Sequence, residues 1–431
     1  MRERRLLVML AALAMVLAAC SPADSGSTTT TEAAATTTAA PATTTTTTAE
    51  EPVEAPETIK LGAIIPLTGA FAGGGAQVER GYRYGVEAIN EAGGVFVEEY
   101  GVSIPLELVM RDDESDPAIT VSSMAELAAE GIVAYLGGFG SLLHANAIPE
   151  AERVQIPYLG VATAQQSLHE QGYEYFFSPF PKSPDIAVSV FEMLNALIPE
   201  GERPTNVGIF QELTDWGEEL GALWAEQAPN FGYDVVFHET YAVGSTDFTD
   251  LILAAEAAGV QAALSLPVPP DGIALYSQMS ELGFKPDFNL VVRAADVPTW
   301  PDTGSAGEGV LLSAGWHPDL GYPGIEAIDA RHMEEEGRRA DPIVGGSYAL
   351  IQILADAIER AGTLDPQAIR DAIAATNMET VVGPIEFRDD GTSPITNPLM
   401  QRVGGEIRLI WPAGSATSEL WYPATGTPPG G

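Results

Sequence analysis

From residue 59 to residue 293, apolar positions follow two alternating rhythms. Runs of strand length, such as 61–67, 132–137, 207–211 and 262–266, give way to stretches whose apolar residues recur once per helical turn. The first unit is the clearest. An apolar run at 61–67 is followed by a loop at 68–75 that contains four glycines. Val78, Tyr82, Val86 and Ile89 then fall on one face of a helix. Gly93-Gly94 can end that helix, because glycine takes the left-handed conformation at little cost. The same reading predicts strands at 104–110, 156–160, 175–180, 234–238 and 290–293. It predicts helices at 117–129, 142–153, 184–197, 216–227, 249–258 and 272–282.

Strand–helix alternation of this kind builds parallel sheets with helices on both faces. The strands are too many for one comfortable sheet, so the expected fold class is α/β, with two doubly wound parallel-sheet lobes. Beyond a strand-like stretch at 309–316 the rhythm changes. A long helix at 347–361 and a shorter one at 366–376 precede short strands at 384–387, 399–403 and 406–411, which read as a closing meander.

The amino terminus follows a different pattern. Arg2, Arg4 and Arg5 precede an apolar run at 6–19, which is shorter than the ~20 residues of a membrane span. A basic flank, a short apolar core and small residues before a cut site describe a secretory signal over 1–19. Leu17-Ala18-Ala19-Cys20, followed by Ser21, resembles the lipobox of bacterial lipoproteins, which implies lipidation at Cys20 and a membrane anchor. Cys20 is the only cysteine, so the mature chain has no internal disulfide. Residues 20–56 are rich in Thr, Ala, Pro and Glu and lack apolar periodicity, the composition of a disordered tether. The remainder is long enough for two domains. A net charge of −40 argues against nucleic-acid binding, which needs Lys and Arg against phosphate.

Several strings along the chain recur in one family. Ile64-Ile65-Pro66-Leu67-Thr68-Gly69, Gly81 and Ala88-Ile89-Asn90-Glu91-Ala92-Gly93-Gly94 open it. Asp112-Asp113-Glu114-Ser115-Asp116-Pro117, Gly137-Gly138-Phe139-Gly140-Ser141 and Ile156-Pro157-Tyr158 continue it. Ser245-Thr246-Asp247-Phe248, Gly346-Ser347-Tyr348-Ala349, Gly383-Pro384-Ile385 and Asp390-Gly391 complete it. In these strings the chain resembles the branched-chain amino-acid binding proteins, extracytoplasmic receptors of ABC importers.

The resemblance implies two lobes joined by a three-crossover hinge, with crossings near 177–181, 314–318 and 388–398. The first lobe would hold 57–177 and 315–390. The second would hold 178–314, with the last crossover, closing strands and tail in 391–431. It also implies a monomer that closes around a small ligand, most readily an amino acid, and passes it to a permease. Amides, urea and small carboxylates are the alternative ligands, and sensing without transport is the alternative role. It implies no cofactor.

In open α/β sheets the loops after the strands converge on the ligand. Here these are 68–75, 138–142 and 161–167 in the first lobe, and 212–216, 267–271 and 294–299 in the second. Ser141 opens a helix, where backbone N–H groups and the dipole suit a carboxylate. Thr163, beside Ala162, sits similarly in the next unit. From position alone, plain helix capping is the favoured reading of both. The resemblance makes Ser141 and Thr163 holders of a ligand carboxylate, with Ala162 among the ligand-binding residues beside them.

Trp216 stands where the family has a tyrosine near the ligand amine. It reads either as a pocket wall with an N–H and a π face, or as a core anchor. Phe71, in the glycine loop, is a candidate for the pocket lining, and Gly74 replaces a family aromatic, which implies a reshaped or larger pocket. Asp296 offers a carboxylate for an ammonium, although its register and the adjacent Arg293 depart from the family pattern.

Enzyme readings find little support. Gly140-Ser141-Leu142-Leu143-His144 lacks the spacing of a nucleophile elbow. The histidines show no metal-ligand spacing, and the glycine loop lacks the Gly-Lys-Ser/Thr of a nucleotide-binding loop. His144 reads as a core or solvated histidine.

Overall fold

The computed structural model describes residues 54–426 and 428. The expected signal segment, Cys20 and the tether up to residue 53 lie outside the described residues. Among those described, no helix is long and apolar enough to cross a membrane.

The first sheet is built from β1 (Ile59–Ile65), β4 (Leu106–Asp112), β5 (Ala134–Leu136), β6 (Tyr158–Leu159) and β7 (Phe176–Phe177). A small hairpin, β2 (Val95–Val97) and β3 (Val102–Ile104), precedes β4. The sheet order is β4-β1-β5-β6-β7 and every pairing is parallel. Strand β1 is buried along nearly its whole length, as a parallel strand covered on both faces must be. Helices α1 (Ala72–Glu91), α2 (Pro117–Ala129) and α3 (Ser141–Val154) alternate with the strands. Asp116 caps α2, accepting from the Ala118 N–H at 2.7 Å, with Pro117 in the first turn.

Two local readings need correction here. The single strand expected at 104–110 is the end of the β2–β3 hairpin followed by β4. Helix α1 begins at Ala72, inside the expected loop 68–75. Its glycines are there for close packing. A Cβ at Gly75 would lie 1.9 Å from the Pro66 carbonyl oxygen, and one at Gly74 would lie 2.3 Å from the Phe139 ring.

The second sheet has the order β16-β15-β12-β11-β10-β8-β9. Its strands are β8 (Asn206–Glu212), β9 (Asp234–Tyr241), β10 (Ala262–Ser265), β11 (Phe288–Val291), β12 (Leu311–Ser313), β15 (Leu399–Val403) and β16 (Glu406–Trp411). Strands β9 to β12 pair in parallel through β8, and β15 and β16 add an antiparallel edge. Helices α4 (Ser183–Leu197), α5 (Asp215–Gln227), α6 (Thr249–Ala257) and α7 (Pro269–Leu282) lie between its strands in sequence.

The chain then returns to the first lobe. Helix α8 (Ile325–Glu336) leads to α9 (Val344–Ala361), which packs along α1 where Gly81 and Gly85 face Ser347 and Ile351. Helix α10 (Pro366–Ala374) follows. Strands β13 (Asn377–Thr380) and β14 (Gly383–Glu386) pair only with each other, so the stretch at 384–387 stands apart from the closing meander in which it was expected. Between the sheets, two crossing segments meet in a parallel bridge between Ser178 and Thr392. Gly391, at φ 75°, passes so close that a Cβ would lie 2.1 Å from the Phe176 carbonyl oxygen.

Candidate functional site

The loops leaving β5 and β6 face those leaving β8 and β11 across a narrow cleft. Phe139, Ala162, Phe180, Trp216, Arg293 and Asp296 line a cavity of about 20 Å³ there. That is room for about one water molecule. Two latches span the cleft. The buried Gln77 of α1 donates to the Asp296 carbonyl at 2.9 Å and accepts from the Ile343 N–H at 3.1 Å. Glu219 of α5 accepts from the N–H groups of Gln166 (2.7 Å) and Ser167 (2.9 Å).

Ser141 is the first residue of α3 and follows Gly140, which has φ 101°. Thr163 lies in the next loop, which the Gly140 N–H holds by donating to the Ala162 carbonyl at 3.2 Å. Ala162 itself has φ 50°, a strained conformation for a residue with a Cβ. Ser141 and Thr163 are buried, and neither hydroxyl has a hydrogen-bond partner among the described residues. Buried polar groups are nearly always paired, so two orphans on neighbouring loops call for an explanation. Helix capping does not supply one: Gly140 holds the N-cap position and α3 has no side-chain cap.

Trp216 lies in the first turn of α5, whose N-cap Thr214 accepts from the Gly217 N–H at 3.0 Å. Its indole N–H donates to Ser183 Oγ at 3.1 Å. Its ring face is covered by the Arg293 guanidinium, 5.1 Å from the ring centroid, and the same guanidinium lies 5.4 Å from the Phe71 ring. Phe71 is buried and sits off the cavity wall, its ring 6.3 Å from that of Phe139. The Phe139 ring fills the space beside Gly74, so the glycine does not enlarge the pocket there.

Arg293 is itself constrained. It has φ 87° and donates from Nη2 to both carboxylate oxygens of Glu212, at 2.6 and 2.5 Å. Further bonds run to the Leu266 carbonyl at 3.2 Å and the Pro267 carbonyl at 3.4 Å. Glu212 is fully buried and also accepts from the Val268 N–H and the Thr214 hydroxyl.

Asp296 is buried, and its Oδ1 has no partner among the described residues. Burial pushes its carboxyl up to about 7, against the pull of Arg402 and Arg293. Lys182 is buried at the crossing into α4, donating to the Thr163 carbonyl and to Ser178 Oγ, both at 2.8 Å. Burial pulls its ammonium down to about 7. His144 is a core residue, bonded to Gly138 O and the Tyr158 hydroxyl, and burial pulls it down to about 4.

Residues 58–406 match the family described as Periplasmic binding protein. The chain belongs to this family. The binding protein is 24% identical over 345 residues to Leu/Ile/Val-binding protein homolog 1 of Brucella abortus, covering 80% of this chain and 90% of that one. Its fold matches the leucine-binding protein LivK of Thermotoga maritima, with a TM-score of 0.73 and 22% identity over 82% of this chain and 98% of that one. It also matches LivJ of Streptococcus pneumoniae, solved in complex with isoleucine, with a TM-score of 0.71 and 19% identity over 82% of this chain and the whole of that one. The family works outside the cytoplasm, and its named relatives are binding proteins.

Three features of the binding protein's cleft escape sequence reading. Phe139 stands in the glycine-rich string 137–141, where nothing in the sequence marks it as a cavity wall. The partnership of Glu212 with Arg293 spans 81 positions and forms because β8 and β11 flank β10 in the sheet. Lys182 had one available signal: it is one of only three lysines in the chain.

Proposed function

We propose that this periplasmic binding protein captures a small carboxylate-bearing solute between its lobes and delivers it, unchanged, to the permease of an ABC importer. The observation that carries the reading is the pair of buried, unpartnered hydroxyls on Ser141 and Thr163, one of them at the start of a 14-residue helix. A carboxylate there gains two hydroxyl donors and the positive end of the helix dipole. The names of the relatives favour a branched-chain amino acid. The crowding of Arg293 and Lys182 around the cleft favours a second reading, a carboxylate without an amine.

The space of about 20 Å³ admits neither kind of ligand, so the lobes are expected to part for entry and close afterwards. The purified protein is expected to melt at a higher temperature with at least one compound from a panel of amino acids and organic acids. A ligand at a hundred times its Kd adds about 2.7 kcal/mol. Small-angle scattering should show a smaller radius with that compound than without it. No thermal shift with any of the panel at millimolar concentration would remove the carboxylate reading.

A lipid on Cys20 and the tether would hold the protein at the outer face of the membrane. Cys20→Ser is expected to release it into the soluble fraction, because stable attachment depends on the acyl chains. A variant that stays with the membrane, together with a wild type found unlipidated by mass spectrometry, would end the lipoprotein reading.

A further inference from the structure

We propose that the ligand is a carboxylate that carries no ammonium group, and that Arg293 sets this choice. The inference rests on reading the cleft as the ligand site and concerns which ligand that site accepts.

An ammonium bound out of water needs an anion and about three hydrogen-bond acceptors. The acceptors around this cleft are largely taken by the protein's own donors. Both Glu212 oxygens receive Arg293 Nη2, and the Leu266 and Pro267 carbonyls receive the same guanidinium. The Thr163 carbonyl receives Lys182 Nζ, the Ala162 carbonyl receives Gly140, and the Asp296 carbonyl receives Gln77. The Ala295 carbonyl receives Arg402 Nε at 2.7 Å. Of the buried side-chain atoms near the cleft, those left unpartnered among the described residues are Asp296 Oδ1 and the hydroxyls of Ser141 and Thr163, and a hydroxyl can donate to a carboxylate or accept from an ammonium, so the charges decide.

Glu212 is matched by Arg293, whereas Lys182 makes no ion pair with the carboxylates it feels, on Asp390, Glu219 and Asp185, among the described residues. A ligand ammonium reaching for Asp296 would lie beside the Arg293 guanidinium, since both line a cavity of about 20 Å³. Two cations so close, with room for about one water between them, repel each other. An anion meets the opposite situation: Nη1 of Arg293, a residue of the cavity wall, makes no hydrogen bond among the described residues, and Lys182, off the wall and bonded to the Thr163 carbonyl and Ser178 Oγ, has no anionic partner there. The rest of the wall, from Phe139, Phe180, Ile186 and Ile343, suits an apolar body.

Titration calorimetry on the wild-type protein tests this with matched probes: leucine against 4-methylpentanoate and 4-methyl-2-oxopentanoate, and phenylalanine against 3-phenylpropanoate. The amine-free acid of at least one set is expected to bind ten times or more tighter than its amino acid. An amino acid that binds as tightly as its acids, or tighter, overturns the inference and leaves the carboxylate reading intact. Binding by none of the probes at millimolar concentration overturns both. Arg293→Ala removes the guanidinium and frees Glu212 for a ligand cation, so the order within a set is expected to reverse. The neutral pair Arg293→Met with Glu212→Gln avoids a bare buried carboxylate and is expected to lose at least tenfold of the preference. If either variant folds and keeps the full wild-type preference, Arg293 does not set it.

Discussion

Glu212→Ala is expected to lower the stability of the folded protein by about 3–5 kcal/mol, the usual cost of removing one partner from a buried ion pair. The size follows from the burial of both partners: Glu212 is 0% exposed and Arg293 is 6% exposed. The alanine variant leaves the guanidinium with two backbone carbonyls and two aromatic faces, which cannot replace a bidentate carboxylate. It also strands the Val268 N–H and the Thr214 hydroxyl. Glu212→Gln retains acceptors for those two donors and is expected to lose less. Replacing both partners by apolar residues of similar volume, as in Glu212→Leu with Arg293→Met, should recover most of the loss, because neither charge then needs solvating. Denaturant unfolding without ligand reads all three. A loss below about 1 kcal/mol in Glu212→Ala, the range of exposed pairs, would mean that water reaches this pair in solution.

The alternation of strands and helices was legible because burial imposes it. Helix α1 buries Val78, Tyr82 and Val86 at helical spacing, and β1 is apolar nearly throughout. Elements with little to bury were silent. Helix α8 buries only Ile325, Ile328 and His332 and is otherwise mostly charged, so it shows no stripe wide enough to read. Strand β13 alternates weakly, with a single buried position. The start of α1 was misread for the opposite reason. Glycines that look like a loop are there because Phe139 and Pro66 occupy the space of their side chains.

The cleft divides along similar lines. Ser141, Thr163 and Asp296 could be singled out because each follows a strand, and chain order fixes that. What surrounds them depends on strand order and on rings packing across loops. Arg293 was visible only as a departure beside Asp296. That it is clamped by Glu212 and stacked between Phe71 and Trp216 required knowing that β8, β10 and β11 are neighbours. The role of Trp216 changes accordingly. Its N–H belongs to Ser183 and its face to Arg293, so what it can offer a ligand directly is apolar surface.

Ser141→Ala and Thr163→Val should each weaken binding of the tightest carboxylate from the panel by roughly ten- to a hundredfold. A hydrogen bond to a charged group is worth about 1.5–3 kcal/mol, and about 1.4 kcal/mol is a factor of ten in affinity. The valine keeps the Thr163 methyl, which packs near Gly160, and removes only the hydroxyl. Stability without ligand carries the second half of the test. A capping or core-bonded hydroxyl stabilises the fold, and removing one costs typically ~1 kcal/mol. These two hydroxyls are buried without partners, so removing them relieves a desolvation cost instead of breaking a bond. Both variants are therefore expected to melt at or above the wild-type temperature when empty while binding the carboxylate more weakly. Calorimetry and a thermal melt on the same preparations separate the cases. Lower melting with unchanged affinity would make the two residues structural, and unchanged affinity in both variants would take the carboxylate away from this end of the cleft.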